Sequence, residues 1–200
     1  LSAALLFCGF FSLLPPDGAA YASGALPDGY YAAAGGDGDW YFSEDYLDLA
    51  EAGVILARLR AEYDFSELEP VVVAVIDTGV NTDAEIFGTG TDDDVFLRNA
   101  VGDIVGRNTV DNNNDISDGA TADSHGTHVT GILALLIRAL GLTDCVKIMP
   151  VKAGEYVASL GGSGNSFDYN DVARAIDFAL ENGADVVNLS LGTDNALTTS

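Results

Sequence analysis

Basic side chains are scarce. Only 8 Lys plus Arg stand against 31 Asp plus Glu in 200 residues, a formal net charge of −23. Such a surface repels phosphate backbones and anionic lipid headgroups, so nucleic acid is excluded as a partner, and bound cations or a salty medium suit it better. Cysteine is almost absent: Cys8 lies in an N-terminal apolar segment expected to be removed, which leaves Cys145 as a lone thiol with no intrachain disulfide. Standing just before an apolar run, Cys145 reads as a small core residue. No apolar stretch is long enough to cross a bilayer as a helix. The longest, Leu1 to Leu14, is uncharged and broken by Pro15, Pro16 and Gly18, and Ala20-Tyr21-Ala22 fits the small-x-small pattern of a signal-peptidase site. Residues 1–22 therefore read as a secretory signal cut before Ser23, and the mature protein as extracellular with no membrane span. The start at Leu1, without Met or a basic region, reads as a sequence clipped at its N-terminus.

What is present is 48% apolar, enough for a domain with a real core or for part of a larger one. Residues 23–39 have no periodicity, whereas Leu47, Ala50, Val54, Leu56 and Leu59 recur at helical spacing. Residues 23–62 thus form a leader and an N-terminal helix packed outside the domain over 63–200. Val71 to Ile76 is apolar on both faces, as a central parallel strand must be, and stops at Asp77-Thr78-Gly79. Residues 81–123 read as loops with short strands at Val95–Leu97 and Val101–Val105. Ser124 to Gly131, S-H-G-T-H-V-T-G, opens a helix to Leu140 that is apolar nearly all round and hence buried, capped by Asp123 or Ser124. Val146–Val151 is a second strand, 154–166 a Gly- and Ser-rich loop, and 168–182 an amphipathic helix with Val172, Ala175, Ile176, Ala179 and Leu180 on one face. Asp185–Ser190 is a third strand. Strand, helix, strand, helix, strand requires a parallel sheet flanked by helices, an α/β fold. Ligands of such sheets sit beyond the carboxyl ends of the strands, where Asp77 and Ser190 both lie.

A histidine in the first turn of a buried helix stands at the rim of a cleft, and its titration near neutral pH suits His125 to general base work. A base needs an orienting carboxylate, for which Asp77 is the candidate. The stretches V-A-V-I-D-T-G-V at 73–80, S-H-G-T-H-V-T-G at 124–131 and A-D-V-V-N-L-S-L-G at 184–192 resemble, in order and context, three motifs of subtilisin-like serine peptidases. The resemblance spans roughly Val71 to Gly192. It implies a subtilisin-like three-layer architecture truncated on its C-terminal side, with residues 63–200 as the N-terminal part of the peptidase domain. By the same resemblance Asp77 orients the imidazole, His125 is the base and His128 is structural. Ser190, Leu191 and Gly192 pair with substrate and wall its pocket, and Gly162, in the Gly161–Gly164 loop, lies on the opposite rim. The nucleophilic serine and the oxyanion asparagine are expected beyond Ser200, so the residues given are expected to be inert, with Asp185–Ser190 an open sheet edge. The function implied is a serine endopeptidase acting on polypeptides. The alternative is a catalytically dead subtilisin-like module that binds calcium or protein.

Other readings of single motifs are weaker. Asp-Thr-Gly also marks aspartic peptidases, but it occurs once, and two helices do not suit an all-β body. His125 and His128 could ligate a metal from one helix face, yet no Cys or Glu at the spacing of known zinc motifs completes a set. Asp111, Asn113 and Asp115, with Ser117 and Asp118 nearby, offer the hard oxygens calcium takes, although Ile116 stands where an EF-hand loop needs glycine. Structural calcium is the one cofactor expected, and none is expected for catalysis. Asp92 and its acidic neighbours are a second candidate for the same ion.

Overall fold

The run from Val71 to Ile76 has no polar position with which to face water, and it lies where that pattern demands, in the middle of a sheet. The computed structural model describes residues 6–7, 49–87, 94–118, 125–157 and 165–192. In chain order the elements are β1 (Leu6–Phe7), α1 (Leu49–Glu62), β2 (Val71–Asp77), β3 (Arg107–Asn108), α2 (His125–Ala139), β4 (Val146–Lys152), β5 (Gly154–Tyr156), β6 (Asn165–Phe167), α3 (Tyr169–Glu181) and β7 (Val186–Leu189). The main sheet is parallel, in the order β1-β7-β2-β4-β3. β2 pairs with β4 along its whole length, Val71 opposite Val146 through Asp77 opposite Lys152. On its other side, Val73 to Ile76 face Val186 to Leu189 of β7.

Alternation along β2 sends side chains into two cores. Val75 packs with Ala134, Leu135 and Ile137 of α2 and with Phe87, Val95 and Phe96. Val72, Ala74 and Ile76 pack on the opposite face with Met149, Val151, and Ala175 and Ala179 of α3. The result is the expected three layers, helix, sheet and helix, each core fed by alternate residues of the same strands. Full burial of a side chain such as Ile76 or Ile148 is worth about 1.5–3 kcal/mol. Pro150 stands inside β4 without the usual penalty. Ile148 and Lys152 make their backbone bonds toward the β3 side, so Pro150 between them faces the gap that separates the Phe96 bridge from β3.

Several expectations need correction. α2 is most deeply buried along one stripe, Gly126, Thr130, Gly131, Ala134, Leu135 and Ile137, and half-buried elsewhere except at His128, which is exposed. Within the stretch read as a Gly- and Ser-rich loop, β5 and β6 form an antiparallel pair, Gly154 opposite Phe167. Arg107–Asn108, not the Val101–Val105 run, adds the strand beside β4, because Arg98 and Ile104 pair with each other instead. Leu6–Phe7, in the segment read as a signal, lies parallel to Val187–Asn188 and covers that part of the β7 edge in the uncut chain. The proposed caps Asp123 and Ser124 lie outside the described residues.

α1 is anchored through its last turn. Arg60 donates two bonds to Asp144 (2.9 and 2.7 Å) and one to the Gly141 carbonyl (2.6 Å), with its guanidinium 4.8 Å above the Phe65 ring. The hydrogen bonds from Arg60 hold the Asp144 carboxyl down at about 2, against the opposing effect of its partial burial. Among the described residues no helix is long and apolar enough to cross a membrane.

Candidate active site

β2 delivers Asp77 to the carboxyl edge of the sheet, and the Asp77 carbonyl accepts from the Ala153 amide at 2.8 Å, which fixes the end of the strand. The carboxylate is buried, with 2% of the side chain exposed. Its Oδ1 accepts from the Thr78 amide at 2.7 Å and lies 2.7 Å from Nδ1 of His125, the first residue of α2. An ionised carboxylate only accepts, so Nδ1 carries the proton and Nε2 is left as the free lone pair. The imidazole side chain is 31% exposed, which makes it reachable from solvent. The hydrogen bond to Asp77 raises the His125 pKa above its ordinary value; burial opposes this, and the charges of Asp77 and Asp118 add to it. Oδ2 of Asp77 is buried with no hydrogen-bond partner among the described residues.

The close approach of β2 and α2 depends on two glycines. Gly126 meets the backbone of Gly79, where a β-carbon would find no room, and Gly79 (φ +109°) lies against the Ile116 and Ser117 carbonyls. The strap over 116–118 is tied down by the Val80 amide on the Ile116 carbonyl (2.7 Å) and by Lys152 Nζ on the Ser117 carbonyl (2.8 Å).

A second hydrogen-bonded set lies directly behind the pair. The Thr78 hydroxyl donates to Asp118 Oδ1 at 2.6 Å and accepts from the Gly126 amide at 2.9 Å. The Thr127 amide and hydroxyl both donate to Asp118 Oδ2 at 2.8 Å, and the same hydroxyl accepts from the Asn81 amide at 2.9 Å. Sequence reasoning missed these roles. Thr78 and Thr127 sit inside motifs it used, but Asp118 stands in an acidic run and was grouped with the calcium candidates.

Of the other expected site residues, Ser190 is half-buried at the end of β7, one position past the Ile76–Leu189 pair, and its Oγ accepts from Asn188 Nδ2 at 3.0 Å. Leu191 is half-buried and Gly192 exposed, with open space above its Cα. Gly162 and Asp92 lie outside the described residues.

Arg107 braces the 111–115 loop, donating to Asn114 Oδ1 (2.8 Å), the Asn112 carbonyl (3.0 Å) and Asn112 Oδ1 (2.6 Å), the residues that alternate with the calcium candidates Asp111, Asn113 and Asp115. Asp111 accepts from Asn108 Nδ2, while Asn113 and Asp115 turn their oxygens to the amides of Asp115 and Ser117. Among the described residues no three His, Cys, Asp or Glu side chains are placed to share a metal ion.

Two features lie away from this chemistry. A cavity of about 520 Å³ is lined by Arg60, Ala61, Glu62, Tyr63, Asp64, Phe65 and Asp144, none of them near Asp77 or His125. Cys145 is half-buried, and burial raises its thiol pKa, which leaves it protonated and unreactive near neutral pH.

A three-layer parallel sheet with a buried carboxylate and a reachable imidazole at its carboxyl edge defines an α/β protein with a hydrogen-bonded Asp–His pair beyond its strands. The subtilase family profile matches residues 69–200, and the chain belongs to that family. It is 37% identical over 130 residues to a cell wall-associated protease of Bacillus subtilis (63% of this chain, 12% of that protein). It is 36% identical over 132 residues to a thermophilic serine proteinase of Bacillus sp. strain AK1 (64% and 27%). It is 34% identical over 129 residues to halolysin of Haloferax mediterranei (61% and 21%). The chain thus spans between 12% and 27% of the length of these relatives.

Proposed function

We propose that the protein is a secreted serine endopeptidase in which Asp77 orients His125 and His125 serves as general base for a serine contributed from beyond Ser200. The observation that carries the reading is the 2.7 Å contact between Asp77 Oδ1 and His125 Nδ1, made by an imidazole that is still partly exposed. In the reaction the serine hydroxyl attacks the scissile carbonyl as Nε2 takes its proton; the proton then passes to the leaving amine, and water repeats the cycle on the acyl-enzyme. The polypeptide lies as an added strand beside Ser190, Leu191 and Gly192, whose backbone continues β7 past the end of its pairing with β2. Secretion accords with the signal-like residues 1–22 and with relatives such as a halolysin-like extracellular serine protease of Natrialba magadii.

The test is labelling of the complete protein by a fluorophosphonate probe, with His125→Ala and Asp77→Asn as controls. Labelling that is lost in His125→Ala supports the assignment. A wild-type protein that folds and takes no label is instead a dead module of the same fold, and the peptidase reading fails.

A further inference from the structure

Asp77 and His125 come from segments 48 residues apart in the chain, and the hydrogen bond between them does not by itself fix where α2 starts. Asp118 does. Its carboxylate is buried, 7% exposed, and takes three donors at 2.6–2.8 Å. One donor is the hydroxyl of the residue next to Asp77; the other two come from Thr127, two residues past His125. Through Thr78 it also reaches the Gly126 amide, so that Asp118 and Thr78 together satisfy two of the amides that open α2. No acidic residue stands in the first turn of α2 itself, and Asp118 supplies the negative charge that the positive end of a 15-residue helix favours. Charge-assisted bonds of this kind are roughly twice as strong as neutral ones, and an ionised carboxylate offers the acceptors all three donors need.

We propose that Asp118 is a positioning residue for the Asp77–His125 pair, clamping the end of β2 to the start of α2 through Thr78 and Thr127 without touching substrate. The clamp sets the placement of the imidazole relative to the strand, and a misplacement of about 1 Å at such a site costs on the order of 100-fold in rate. Its kinetic consequence rests on the peptidase reading; its effect on the imidazole does not.

The deciding variants of the complete protein are Thr78→Val, which removes the hydroxyl without changing charge, Thr78→Ser, which keeps it, and Asp118→Asn. Peptide turnover, thermal melting and the NMR titration of the His125 imidazole, its resonance identified by loss in His125→Gln, are measured for each. Thr78→Val and Asp118→Asn are expected to lower kcat about 10- to 100-fold with KM within about twofold, while Thr78→Ser stays near wild type. In Thr78→Val the imidazole pKa falls toward its ordinary value. A folded Thr78→Val with wild-type kcat and wild-type titration overturns the proposal. If Thr78→Val does not fold, Asp118→Asn decides, and wild-type kcat in that variant overturns it equally. A wild type that folds but turns over no peptide defeats the peptidase reading instead, and the imidazole titration alone then judges the clamp.

Discussion

The backbone of Gly126 lies so close to Gly79 that a β-carbon on Gly126 would stand 2.2 Å from the Gly79 carbonyl oxygen and 3.1 Å from Cβ of Asp77. The atom met is backbone two residues past the end of β2, held there by the Val80 amide on the Ile116 carbonyl, so it cannot swing aside. Gly126→Ala is expected to destabilise the fold by at least about 1–3 kcal/mol and to displace His125 from Asp77. Gly53, inside α1, has nothing within 4 Å of the same position, and Gly53→Ala is expected to stabilise by about 0.5–1 kcal/mol. Chemical denaturation of the two variants checks the pair of signs; an unchanged midpoint in Gly126→Ala would sink the argument from contact.

His125 titrates above its ordinary value of 6.5 because Asp77 favours the protonated ring. The stabilisation this gives is complete below that ordinary value and is lost as pH rises through the folded one. A base must be unprotonated, so the ascending limb of kcat/KM should lie on the alkaline side of 6.5. In Asp77→Asn the limb should move to lower pH, and the rate should fall on the order of 10⁴-fold because the ring loses its tautomeric control. A pH–rate profile with the limb unmoved in Asp77→Asn would assign it to another group.

Arg107 holds the 108–114 turn through three hydrogen bonds, two of them to Asn112, whose φ of 54° asparagine tolerates better than most residues. Arg107→Ala should destabilise by about 1–2 kcal/mol and open the amides of this turn to hydrogen exchange. Excess chelator should leave the same amides unchanged in the wild type. Loosening by chelator alone would place a cation in the loop.

The strands and helices that carry the site were legible because each announces itself locally. Val71 to Ile76 admits no face for water, and the spacing of Val172, Ala175, Ile176 and Ala179 belongs to one helix face. Asp77 and His125 stand out because a carboxylate and an imidazole end such elements. What was not legible depends on side chains meeting across the fold. Asp118 and Asp111 sit in one acidic run, yet one is buried on Thr78 and Thr127 while the other accepts from Asn108. Nothing in residue type separates them. β3 escaped notice for a related reason: Arg107–Asn108 has no strand-like composition and pairs because β4 offers it an open side.

The sheet register bears on how the molecule is made. Val72 binds Asp185 across 113 residues of intervening chain, and every neighbour of β2 in the sheet is a segment distant in sequence. Pairings of this kind carry a loop-closure cost before they return any contact energy, so folding should be slow and cooperative around β2, β4 and β7. The ledge that bears Asp77, Lys152 and Ser190 exists only once those strands have docked. A partly folded chain therefore holds Asp77, His125 and Ser190 without bringing them together, and the site forms only when the chain around it has closed.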